Sequence, residues 1–203
     1  MGQYLYDRHT QRQQVHSTAI VPGSITHYAN QRNQSFALAW LAVQAIVIFD
    51  RSASMDDADA PGGQTRYQLA ISELANLQAQ CPGRVAIVQF NDTVSLVPGG
   101  VPEAPAGTTD LAAALRFVKS QRMDIGTRII VISDGEPNCE RSALEMAGAF
   151  RTRIDVVYCG PATRPEGREF LNRLALTSGG QLVTADRAQG LMAATVRLLG
   201  VGV

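Results

Sequence analysis

The chain has 203 residues, 45% hydrophobic and 18% charged, with 18 basic and 18 acidic side chains that cancel. That is enough for one well-buried core with an appended segment, and the composition excludes a disordered or coiled-coil polypeptide. Lys119 is the only lysine, and no basic run or aromatic-interleaved patch could follow a phosphate backbone, so nucleic-acid binding is disfavoured.

The first 35 residues are polar and glutamine-rich, contain all three histidines (His9, His16 and His27), and show no clear period. They read as an appended arm, extended to residues 1–42, ahead of a domain spanning 43–203. No basic segment followed by an apolar core opens the chain, so no secretory signal is expected. The apolar run from Phe36 to Phe49 is too short for a bilayer and ends at Asp50 and Arg51, which makes its second half a buried strand and leaves no membrane span.

From Ala45 onward, short β-branched runs alternate with longer segments of helical period. This is the pattern of an α/β fold, doubly wound, with a mostly parallel six-stranded sheet. The predicted strands are Ala45 to Phe49, Val85 to Phe90, Thr93 to Val97, Arg128 to Ser133, Ile154 to Cys159, and Gln181 to Thr184. Near-continuous apolar character in them means burial on both faces. The link between the second and third, FNDT, is too short for a crossover helix and predicts one short antiparallel edge hairpin. Apolar residues at three- and four-residue spacing predict helices through Tyr67, Ala70, Leu74 and Leu77; Leu111, Ala114, Leu115 and Val118; and Leu144, Ala147 and Phe150. Two more run through Phe170, Leu171 and Leu174, and through Leu191, Met192, Thr195, Leu198 and Leu199. Cys81, Cys139 and Cys159 are odd in number and widely spaced, which predicts free buried thiols and a reducing, cytoplasmic compartment.

In an open parallel sheet, ligands bind beyond the carboxyl ends of the strands, where successive connections leave in opposite directions. Two segments carry polar chemistry there: DRSASM (50–55) after the first strand and SDGEP (133–137) at the end of the fourth. A third, GTTDL (107–111), opens a helix after a proline- and glycine-rich loop. Hard cations such as Mg2+ want oxygen ligands in near-octahedral order. Two carboxylates and three hydroxyls from three loops meet that need, giving Asp50, Ser52, Ser54, Thr109 and Asp134 as the candidate metal ligands. The spacing 50, 52, 54 lets alternate side chains aim at one centre while Arg51 and Ala53 point elsewhere.

These three pieces, in this order and each placed after a predicted strand or at a helix start, resemble the metal-ion-dependent adhesion site (MIDAS) of von Willebrand factor A domains, D-x-S-x-S, then T, then D. The resemblance covers about residues 43 to 203. It implies a Rossmann-like fold in which Ser52, Ser54 and Thr109 touch the ion through hydroxyls, while Asp50 and Asp134 act largely through waters or hydrogen bonds. The nearly uncharged inner shell leaves the ion, Mg2+ with Mn2+ or Ca2+ as alternatives, electrophilic toward an acidic oxygen of a partner. The implied function is a protein-binding module without enzymatic activity that captures an Asp or Glu of another protein. Bacterial and phage stand-alone domains that resemble this one work with MoxR-type AAA+ ATPases, among other systems. The alternative is an assembly protein that builds a homo-oligomer through its arm, with the metal site incidental.

Other readings of the same residues are weaker. Asp50 and Asp134 as simple turn or cap residues would not need to fall at adjacent strand ends. A Ser-His-Asp hydrolase needs a histidine near a serine, yet all three histidines lie in the arm. A phosphotransferase resembling haloacid dehalogenases would carry a second aspartate where Ser52 stands, and Lys119-Ser120 lacks a phosphate-cradling glycine turn. Asp56, Asp57 and Asp59 depart from the short neutral linker of many family members. They read as a solvated loop, with a second cation site, as in integrin β subunits, as the competing idea. Cys139, just after SDGEPN, sits at a helix start near the site, where a thiol role competes with an ordinary structural one.

Overall fold

The computed structural model describes residues 19–184 apart from Asp124. The last predicted helix, through Leu191 to Leu199, and the first eighteen residues of the arm lie outside that range. Six strands form one sheet: β1 (Ala45–Asp50), β2 (Val85–Phe90), β3 (Val94–Leu96), β4 (Arg128–Ser133), β5 (Ile154–Tyr158) and β6 (Leu182–Thr184). Their order is β3-β2-β1-β4-β5-β6, and only the β2–β3 hairpin is antiparallel. The fold class read from the sequence is therefore the observed one.

The central strands are apolar at every position because each face has its own cover. Ile46, Ile48, Val88, Val131 and Val156 pack on one side beneath α4 (Leu111–Ser120), α5 (Glu140–Gly148) and α6 (Pro165–Thr177). Val47, Phe49, Ile87, Ile130, Ile132 and Val157 face the other side, where α3 (Arg66–Gln80) brings Ala70, Leu74 and Leu77. Each such side chain, fully withdrawn from water, contributes roughly 1.5–3 kcal/mol. α3 starts at a reciprocal capping box between Thr65 and Gln68. α5 stops at Gly148, so Phe150 fills the core from just beyond the helix and not from within it.

Residues 19–42 join the same core. Two helices, α1 (Ile25–Gln31) and α2 (Phe36–Trp40), are capped by Ser24 and Ser35, and they bury Ile25, Ala29 and Ala39 against the first face. Backbone bonds from Val21 to Gly99, Thr26 to Pro98 and Gly83 to Gly23 fasten this stretch to the domain. Among the described residues no helix is long and apolar enough to cross a membrane.

Candidate functional site

β1 and β4 lie side by side, but the connection after β1 leads outward to β2 while that after β4 leads the opposite way to β5. Their carboxyl ends form the crevice where an open α/β sheet leaves room for a ligand. Asp50 closes β1, and the register Phe49↔Ile132 sets it beside Ser133, with Asp134 one residue beyond. The Ser133 hydroxyl donates to Asp50 Oδ2 at 2.6 Å, and the Ser52 amide donates to Oδ1 at 2.8 Å. Ser52 is still extended, and the chain then tightens into a 3-10 turn over Ala53–Asp56. That bend brings the Ser52 and Ser54 hydroxyl oxygens to 3.1 Å from each other.

The third segment is laid against the first by backbone bonds, Ala106 N–H to the Arg51 carbonyl (2.8 Å) and Ala53 N–H to the Gly107 carbonyl (3.1 Å). Gly107 has φ +73°, a backbone conformation that favours glycine at this turn. Asn138 then clips this loop to the segment after β4: its side-chain oxygen accepts from the Thr109 amide (3.1 Å) and its own amide donates to the Thr109 carbonyl (2.8 Å). Asp110 caps α4 through Ala113. The structure thus joins Asp50, Ser52 and Ser54 directly, sets Asp134 at the adjacent strand end, and ties the buried Thr109 by its backbone to Asn138, while Ala106 and Gly107 of the same loop bond the 50–55 segment.

The electrostatics are unusual for so buried a place. Asp50 is raised from near 3.8 to about 7, first by burial and then by the charge of Asp134, against the opposing hydrogen bonds of Ser133 and Ser52. Asp134, 2% exposed, has Oδ2 held by Arg66 at 2.7 Å, whereas its Oδ1 is buried with no hydrogen-bond partner. Such an orphaned oxygen beside a second buried carboxylate marks a place that suits a cation. Among the described residues no group of three or more His, Cys, Asp or Glu is arranged for a metal. Any ion here would therefore rest on hydroxyls together with these two carboxylates, a donor set suited to a hard cation.

Arg66, the first residue of α3, escapes a sequence reading. It is fully buried, and it grips Asp59 through Nε and Nη2 (2.8 and 2.7 Å), Asp57 through Nη2 (3.1 Å) and Asp134 through Nη1. The acidic run after Met55 is therefore largely taken up as counter-charge, because a guanidinium withdrawn from water needs more than one carboxylate. Arg51 turns to the 98–106 loop, pairing with Glu103 at 3.2 Å and donating to the Ala104 carbonyl. Cys81 and Cys159 are buried thiols, but Cys139 is exposed, correcting the expectation for that residue. It stands before α5 and touches Ser142 at 3.2 Å, a surface position that its polar neighbours Asn138 and Glu140 favour. Burial, followed by the charges of Asp134 and Asp50, pushes the Cys159 thiol up, so it stays protonated against the Met55 sulfur.

No family model and no curated protein matches this sequence. Solved structures do. The manganese-loaded TRAP protein of Plasmodium vivax superposes with a TM-score of 0.51 at 17% identity, covering 76% of this chain and 74% of that one. Three N-terminal domains of the type V pili tip protein Mfa5 from Porphyromonas gingivalis give 0.56 at 11%, over 75% of this chain and 48% of that one. A von Willebrand factor type A protein from Catenulispora acidiphila gives 0.51 at 14%, over 78% and 43%. Likeness at this identity establishes the fold, which is that of a von Willebrand factor A domain.

Proposed function

Starting from that fold, we propose that the chain is a protein-binding module whose carboxyl-rim site holds one divalent cation and captures an acidic residue of a partner protein. The observation that carries this reading is the pairing of an orphaned, buried Asp134 oxygen with a raised Asp50 carboxylate, at a point where three hydroxyl-bearing loops are bonded together. Ser52, Ser54 and Thr109 would hold the ion through hydroxyls, Asp134 would add its free Oδ1, and Asp50 would orient that shell. When bound, the ion supplies an electrophilic centre for a carboxylate oxygen. Mg2+ is the cation of choice, and the manganese carried by the Plasmodium vivax neighbour supports a divalent site in a fold of this kind.

Binding is favoured over catalysis because the two serine hydroxyls bond each other, and the one histidine among the described residues, His27, bonds within its own turn before α1. A cytoplasmic partner of the MoxR-type AAA+ class is the proposed pairing. A second reading, self-assembly with the metal incidental, draws on Phe36, Leu38 and Leu41, which α2 and its cap leave exposed.

Titration calorimetry with Mn2+ should give a single site in the wild type and none in Ser52→Ala plus Ser54→Ala. Affinity capture from native lysate should fail with EDTA and with the same double variant. Capture indifferent to both refutes the metal-dependent reading. Self-association that survives EDTA but is lost in Leu38→Ser plus Leu41→Ser favours assembly.

A further inference from the structure

Arg66 is the largest fully buried side chain among the described residues, and it occupies a position that opposes it. As the first residue of α3 it carries positive charge into the positive end of a helix, where a cation is disfavoured even at the surface. What holds it there is the surrounding carboxylates. Asp59 takes two of its nitrogens, Asp57 adds a third contact from the same loop, and the remaining nitrogen, Nη1, goes to Asp134 Oδ2. The planar fork cannot rotate without breaking the two-pronged bond to Asp59, so Asp134 is pinned in turn. Its Oδ2 is committed to Arg66, and a single oxygen, Oδ1, is left without a partner.

We propose that Arg66 is a specificity-determining positioning residue: by occupying one oxygen of Asp134 it makes that carboxylate one-pronged, and so biases the site toward small six-coordinate ions and against Ca2+. Ca2+ accepts six to eight oxygens at longer distances and often takes both oxygens of a carboxylate, whereas Mg2+ demands a compact octahedron and is content with one. The fixed positive charge acts in the same direction. It offsets part of the negative charge of Asp134, and a site with less ligand charge holds a larger divalent ion less well. Arg66 does this without touching the ion itself. The inference rests on the metal-site reading above.

The test is the ratio of Ca2+ to Mn2+ dissociation constants, from Mn2+ paramagnetic resonance titration with Ca2+ as competitor, on the full chain. The wild type should bind Mn2+ at least ~10-fold more tightly than Ca2+, and Arg66→Met, which frees the second oxygen, should bring the two within ~3-fold. Thermal melting establishes that the variant is folded. Should Arg66→Met not fold, Arg66→Lys decides. An ammonium cannot hold Asp59 by two atoms and reach Asp134 as well, so the ratio should fall by at least ~3-fold. A wild type without preference, or a folded variant with an unchanged ratio, overturns the role of Arg66 while leaving the metal site standing. No divalent binding by the wild type overturns the site itself and this inference with it.

Discussion

At the amino rim of the sheet Asp155, 1% exposed on β5, lies between Arg128 and Arg153 at 3.6 and 3.5 Å and accepts the Gln181 amide. At the carboxyl rim Asp50 and Asp134 are as deeply buried, yet the guanidinium that meets Asp134, Arg66, is shared with two further aspartates. One rim supplies two cations to one carboxylate; at the other, three carboxylates share one guanidinium, and Asp50 is held by Ser133 and Ser52 with no cation among its described partners. Burying charge is tolerable when it is paired at once, as at Asp155, so the imbalance at the opposite rim supports the proposed ligand site there.

The sharpest way to break this contrast is to remove one carboxylate from each rim. Asp155→Ala takes the acceptor from the Gln181 amide and the counter-charge from the partly exposed Arg128 and Arg153, and should destabilise the protein by roughly 1–3 kcal/mol, with any Mg2+-induced rise in melting temperature intact. Asp50→Asn removes a charge that has no cation in the ion-free state. It should leave stability in chelator near or above wild type while losing the response to Mg2+. Denaturant unfolding in chelator and in Mg2+ reads both, and a large loss of stability in Asp50→Asn would mean that the two rims are alike.

How much of this was readable from residues depends on the range of the interactions. β1, β2 and β4 were legible because burial on both faces writes itself as consecutive β-branched residues, and the hairpin because FNDT allows no crossover. The convergence of three polar loops was legible because each stands directly after a predicted strand or at a predicted helix start. α1 and α2 were not, since seven and five residues are too few to show a period and rest on Ser24, Ser35 and tertiary packing instead. Arg66 was hidden for a different reason. An arginine after a Thr cap looks like any exposed first-turn residue, and only the fold brings Asp134, 68 positions away, against it. Asn138 and Ser133 were likewise visible as letters, but their bonds to Thr109 and Asp50 span separate loops.

A smaller effect is expected from pH. Because Asp50 in the fold is raised from near 3.8 to about 7, the folded state holds a proton that the unfolded chain has already released between those values. The ion-free protein should therefore lose stability as pH rises from 5 to 7, at no more than about 1.4 kcal/mol per unit. Asp59, lowered by its hydrogen bond to Arg66, titrates below that window and adds no slope to it. Saturating Mg2+ should flatten or reverse the trend, since ion and proton compete for the same carboxylate. A melting temperature in chelator that stays level from pH 5 to 7 contradicts the burial of an uncompensated Asp50.

The finest distinction lies within that titration, at Ser133. Its hydroxyl donates to Asp50 Oδ2 at 2.6 Å and also accepts the Gly135 amide, so its proton is directed at the carboxylate. A donor to the charged form lowers the affinity of Asp50 for a proton, opposing burial and Asp134. Ser133→Ala removes that opposition, and the pH at which the ion-free protein weakens should move upward by roughly half to one unit, about 1 kcal/mol of lost charge stabilisation. Ser133→Thr keeps the hydroxyl and should restore the wild-type midpoint. The midpoint is read from melting temperature against pH in chelator. A downward move in Ser133→Ala would mean that the hydroxyl bonds the protonated acid, and that the rim is less negative than the contrast with Asp155 requires.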